Sequence, residues 1–131
     1  MNGFPLDHVG IAVASIQESV ATFEPITGAT CSSIEELPTE DVNVAFVGFI
    51  ELIEPRSSAS TVARFLANRG PGVHHIAYRV PDLLATLQNL NTRGFQLIDK
   101  EPRRGARGYL VAFVHPKSTG RTLIELVQRS P

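Results

Sequence analysis

Two stretches of alternating apolar and small residues, Leu6-Asp7-His8-Val9-Gly10-Ile11-Ala12-Val13 and Val73-His74-His75-Ile76-Ala77-Tyr78-Arg79-Val80, each run into a segment of helical character. Strand followed by helix is the simplest reading of both. Ser15 and Glu18 have the spacing of a capping box, and Asp82 follows Pro81 as an N-cap, so both helices have a start. Leu83, Leu84, Leu87 and Leu90 give the second helix an apolar stripe, and Gly94 supplies its stop. Strand-like segments follow at 29–35, 42–47 and 50–54 in the first half and at 95–99, 110–114 and 122–128 in the second. Gly48-Phe49 reads as a two-residue hairpin turn. A linking helix over 61–68, closed by Gly70, joins the halves. The pattern therefore predicts an internal repeat of two β-α-β-β-β modules, module one over about 4–56, a linking segment over about 58–70 and module two over about 71–129.

The repeat also carries the candidate chemistry. Ile50-Glu51-Leu52-Ile53-Glu54 near the end of module one is echoed by Ile124-Glu125-Leu126-Val127-Gln128 near the end of module two. The His-to-Glu separation is 43 residues in the first and 50 in the second; an insertion around 102–108 in the second copy would account for the difference. Side chains alternate across a strand, so His8 shares a face with Gly10 and Ala12, His75 shares one with Ala77, and His74 points the other way. Glu51 and Glu125 sit in otherwise apolar strands, where an unpaired carboxylate is costly to bury. Singly, each residue is more simply read as structural. Two His and two Glu at matched places predict a divalent metal held by His8, Glu51, His75 and Glu125, a donor set that suits Zn, Ni, Co, Mn or Fe.

Composition narrows the setting. At 131 residues and 43% hydrophobic, the chain suffices for one domain over 1–131 with a real core. Twelve basic and thirteen acidic residues, scattered for a net charge of −1, leave no footprint for nucleic acid or an anionic membrane. No apolar stretch approaches the ~20 residues of a membrane span. The lone Cys31 cannot form an internal disulfide and is read as a structural thiol, and no signal-like segment opens the sequence, so the expectation is a cytoplasmic protein. Lys100, Arg103, Arg104, Arg107 and Lys117 could grip phosphates or a carboxylate of an anionic substrate, or could simply be solvated.

These residues resemble the vicinal-oxygen-chelate (glyoxalase/bleomycin-resistance) superfamily, and within it the methylmalonyl-CoA epimerase branch. The likeness runs over nearly the whole chain, through Val44-Ala45-Phe46, Ile50 to Pro55, Gly72 to Ala77, Asp99 to Arg103, Val111 to Ser118 and Leu123 to Leu126. His115-Pro116-Lys117-Ser118 and the preceding Glu-Pro-Arg segment look specific to that branch. The resemblance implies an α+β fold, the two modules forming a curved, barrel-like mixed sheet around a metal site, and a homodimer. It implies a divalent metal (Co, Ni, Mn or Zn) on His8, His75 and Glu125 with Glu51 as fourth ligand. The implied reaction is removal of the α-proton of a 2-methylmalonyl-CoA thioester through a metal-stabilised enolate, with return on the opposite face. Glu51 and Glu125 would be the acid/base pair, and Arg103, Arg107, Lys117 and Ser118 would bind the acyl-CoA. A lactoylglutathione lyase-type isomerase, or a non-catalytic small-molecule-binding resistance protein, are the alternatives the same resemblance allows.

Overall fold

The computed structural model describes residues 3–129. Its elements run β1 (Leu6–Ala12), α1 (Ile16–Thr27), β2 (Glu35–Leu37), β3 (Val42–Val47), β4 (Ile50–Pro55), α2 (Thr61–Arg69), β5 (Gly72–Arg79), α3 (Leu83–Thr92), β6 (Arg103–Arg104), β7 (Leu110–Val114) and β8 (Ile124–Gln128). The α+β class and two β-α-β-β-β modules joined by a helix are therefore present. Contacts divide the chain into two compact units: Val9–His74, and the residues up to His8 with those from His75 onward. Strand order is β2-β3-β4-β1 in the first unit and β1-β5-β8-β7-β6 in the second. β1 contributes to both, passing from one to the other between His8 and Val9. Residues 3–8 open the repeat in sequence but group with its second copy. Among the described residues no helix is long and apolar enough to cross a membrane.

Each unit builds its core the same way. In the first, the Glu18 N–H donates to Ser15 Oγ (3.2 Å) to start α1, and Gly28 ends it at φ +71°. Ile16 then packs with Val13, Ala45, Val47 and Leu52. In the second, the Ala85 N–H donates to Asp82 Oδ1 (3.0 Å) to start α3, which buries Leu83 and Leu87 against Val80, Ala112, Val114 and Leu126. Each such aliphatic side chain contributes about 1.5–3 kcal/mol of burial, enough to fix a helix on its strands. The last residues of the echoed motifs hold the helix starts as well. The Ile16 N–H donates to Glu54 Oε1 (2.7 Å) and the Leu83 N–H to Gln128 Oε1 (2.8 Å).

Three expectations are corrected. The segment 29–35 is not a strand until Glu35, because Ser32 Oγ accepts the Phe46 N–H (2.8 Å) where a ladder bond would lie. The segment 95–99 is likewise reduced to a bridge at Leu97, because Asp99 Oδ2 accepts the Phe113 N–H (2.8 Å). The third concerns the insertion. A constant offset of 67 residues takes His8 to His75, Ser32 to Asp99 and Phe46 to Phe113, so nothing is inserted at 102–108. The registers Phe46↔Glu51 and Phe113↔Glu125 put all seven extra residues between β7 and β8. There the chain spends nine residues, 115–123, where Gly48 and Phe49 suffice between β3 and β4.

Candidate metal centre

In the unit that joins His8 to the residues from His75 onward, three donor atoms converge. His8 Nε2 lies 3.0 Å from Glu125 Oε1, His75 Nε2 lies 3.1 Å from the same oxygen, and the two nitrogens are 3.2 Å apart. Ligands about 2.1 Å from an ion and at right angles to one another stand about 3.0 Å apart, so the triangle has the dimensions of one face of an octahedron. All three side chains are buried. Two imidazole nitrogens and a carboxylate oxygen directed at one point in such surroundings repel one another unless a proton or a cation lies among them. The cluster can hold a metal ion, and two His with one carboxylate on one face is a recognised ligand set for divalent transition metals.

The strands explain why these atoms meet. β5 and β8 run parallel with Ala77 opposite Glu125, two residues past His75. β1 and β4 repeat that register, with Gly10 opposite Glu51, two residues past His8. Glu51 is buried on β4 of the other unit and is thus placed on its strands as Glu125 is on its own. The residues opposite the two carboxylates, Gly10 and Ala77, are both small. His74, on the alternate face of β5, stacks edge-on against Phe65 with 5.1 Å between ring centroids.

Behind His8 stands a residue not singled out from the sequence. Asp7 is 4% exposed, and its Oδ2 lies 2.7 Å from His8 Nδ1. Its Oδ1 accepts from Arg129 Nε (2.7 Å) and Arg79 Nε (3.3 Å). Burial alone would push the Asp7 carboxyl up, but the hydrogen bond from His8 and the hydrogen bond and charge of Arg129 hold it well below the usual carboxylate range. Arg129 in turn lies over the Tyr109 ring at 5.4 Å. Only adjacency to His8 marked Asp7 in the sequence.

The expected substrate-binding residues occupy different settings. Arg103 is tied to Asp99 (Nε to Oδ1, 3.1 Å) and lies over the Phe113 ring at 5.5 Å, and that ring meets His75 edge-on at 5.5 Å. A short stack thus leads from the histidine to a guanidinium. Phe113 was legible, since Val44-Ala45-Phe46-Val47 recurs unchanged as Val111-Ala112-Phe113-Val114. Arg107 is exposed and holds φ +60°, a left-handed conformation that non-glycine residues seldom adopt. Lys117 is exposed, and the Ser118 hydroxyl accepts the Gln96 N–H (2.8 Å), tying the nine-residue connection to the chain after α3. Burial, with Glu24 adding its charge, pushes the Cys31 thiol up, which disfavours the nucleophilic thiolate.

Known proteins share this arrangement of chain. The model of the glyoxalase/bleomycin resistance protein/dioxygenase superfamily matches residues 7–113. The uncharacterized protein YqjC of Bacillus subtilis is 41% identical over 127 residues, covering 94% of this chain and 91% of its own. The ethylmalonyl-CoA/methylmalonyl-CoA epimerase of Cereibacter sphaeroides is 36% identical over 129 residues, covering 94% and 96%. A variant of Streptomyces coelicolor methylmalonyl-CoA epimerase, solved in complex with 2-nitronate-propionyl-CoA, superposes with a TM-score of 0.90 at 30% identity, covering 99% of this chain and 100% of that one.

Proposed function

The chain belongs to the glyoxalase/bleomycin resistance protein/dioxygenase superfamily, and from that premise we propose that it is a metal-dependent epimerase acting on methylmalonyl-CoA or a closely similar acyl-CoA thioester. The observation that carries this reading is the mirrored register, which sets one buried carboxylate two residues beyond each buried histidine, Glu51 beyond His8 and Glu125 beyond His75. Inverting a carbon acidified by a thioester and a carboxylate needs a base on one face and an acid on the other. Two carboxylates in matching positions of a duplicated fold meet that need. Glu51 and Glu125 take the α-proton from one face and return one to the other; the C–H electron pair passes into the thioester carbonyl and comes back, so no oxidant or co-reactant is consumed.

Held by His8, His75 and Glu125 with Glu51 as fourth ligand, a divalent ion such as Co, Ni, Mn or Zn would supply Lewis-acid stabilisation of the negative charge that develops as the proton leaves. Arg103, Arg107, Lys117 and Ser118 bind the acyl-CoA in this reading, the guanidinium groups suiting phosphate or carboxylate by their paired donors. The epimerase relatives, at 30–36% identity, support the substrate class. The reading includes a homodimer, which sedimentation equilibrium would register as twice the 14.2 kDa chain mass.

The reaction is tested by incubating one stereoisomer of methylmalonyl-CoA with Co2+-loaded protein in deuterated water. The expected result is α-deuteration with loss of stereochemical purity, well above the protein-free rate. Absence of exchange with Co, Ni, Mn and Zn in turn would rule the activity out.

A further inference from the structure

We infer that Asp7 is a positioning residue for the metal centre: it holds His8 as the Nδ1–H tautomer with Nε2 turned toward Glu125, while Arg129 and Arg79 keep the Asp7 carboxylate in place behind it. The inference rests on the metal reading above and not on the substrate.

Adjacent residues on a strand point to opposite faces, so Asp7 and His8 would ordinarily have no contact. Here Nδ1 nonetheless lies 2.7 Å from Oδ2. An ionised carboxylate only accepts, so the proton on that edge belongs to Nδ1, and the lone pair of Nε2 is directed at the triangle with His75 and Glu125. A carboxylate behind a ligating imidazole fixes ring orientation and tautomer and raises ligand basicity. Asp7 is 4% exposed, and a bare carboxylate there would be costly without the two guanidinium groups on its other oxygen. The same offset that matches His8 to His75 places His74 opposite Asp7 in the repeat, and His74 stacks on Phe65 instead. The position that backs His8 in one copy is thus held by a histidine in the other.

Two variants separate positioning from ion pairing. Asp7→Asn and Arg129→Met both remove the Asp7–Arg129 ion pair, but only Asp7→Asn alters the partner of His8 Nδ1. Titration of metal-free protein with Co2+ against a competing chelator should show affinity falling about 10- to 100-fold in Asp7→Asn, and by a clearly smaller factor in Arg129→Met, which leaves Arg79 on Asp7 Oδ1. Equal losses in both variants, or an Asp7→Asn affinity matching the parent, would overturn the inference while leaving the metal reading intact. Failure of the parent itself to bind Co2+ would overturn both. Should Asp7→Asn not fold, proton NMR of the Zn2+-loaded parent decides. A His8 ring N–H in slow exchange with water, shifted downfield by the buried carboxylate, is expected, and its absence overturns the assignment.

Discussion

The hairpin between β3 and β4 turns in two residues, with Gly48 taking φ +61°, whereas the matching connection between β7 and β8 takes nine. At the matching ladder break a neutral Ser32 hydroxyl meets Phe46 in one copy, and a charged Asp99 carboxylate meets Phe113 in the other. Asp99 does more than its counterpart, since its second oxygen holds Arg103 over the Phe113 ring beside His75. The longer connection carries Lys117 and Ser118, and Ser118 anchors it to Gln96. The elaborations cluster in the second copy, while the His and Glu positions are alike in both. The repeat carries the candidate ligand positions twice, whereas the groups proposed to grip an anion belong to the second copy.

The sharpest way to break this equivalence of ligands is to remove them. His8→Ala and His75→Ala should each abolish stoichiometric Co2+ binding by calorimetry, whereas His74→Ala should retain it; a His8→Ala protein that still bound one equivalent would leave the two copies unequal. Next in size, replacing residues 115–123 by a two-residue Asn-Gly turn should leave Co2+ affinity near that of the parent but lower kcat/KM for methylmalonyl-CoA by about tenfold or more, roughly 1.4 kcal/mol of transition-state stabilisation. Unchanged kcat/KM would show that the extra residues serve only to connect.

The two ladder breaks should differ in cost. Asp99→Ala leaves the Phe113 N–H without its carboxylate acceptor and removes the Asp99–Arg103 ion pair, a loss of about 1.5–3 kcal/mol typical of a charged acceptor, whereas Ser32→Ala should cost about 0.5–1.5 kcal/mol. Urea unfolding of the two variants gives the comparison, and equal costs would remove the distinction. Smallest are the helix-start acceptors. Glu54→Ala and Gln128→Ala should each destabilise by about 1 kcal/mol, and the Glu54 variant should lose an additional few tenths of a kcal/mol that added salt screens away, since only that residue brings charge to a helix N-terminus.

Much of this architecture was readable from the chain. The starts of α1 and α3 followed from Ser15, Glu18 and Asp82 because capping is local chemistry, and the echo of Ile50–Glu54 in Ile124–Gln128 marked the paired carboxylates. Asp7 was not readable as a partner of His8, because strand alternation places neighbours on opposite faces, whereas in the structure the two side chains meet. The strands expected at 29–35 and 95–99 failed for one shared reason. A side-chain acceptor can take a ladder donor, and apolar patterning is blind to that. The extra seven residues were misplaced although the repeated Val-Ala-Phe-Val tetrapeptide fixes them, since matching the halves through His and Glu alone left the interval between them free.

The passage of β1 between units at the His8–Val9 bond bears on how such a site could have arisen. A half-length ancestor would have carried one such histidine and one such glutamate, whereas the triangle draws its histidines from both copies. Two ancestral chains would have had to meet to capture one ion, so capture would have weakened on dilution. Fusing the copies made that encounter intramolecular, its effective concentration set by the linking segment rather than by how much protein the cell makes. A chain severed between α2 and β5 should recover that older behaviour, with metal affinity that depends on the concentration of the two pieces.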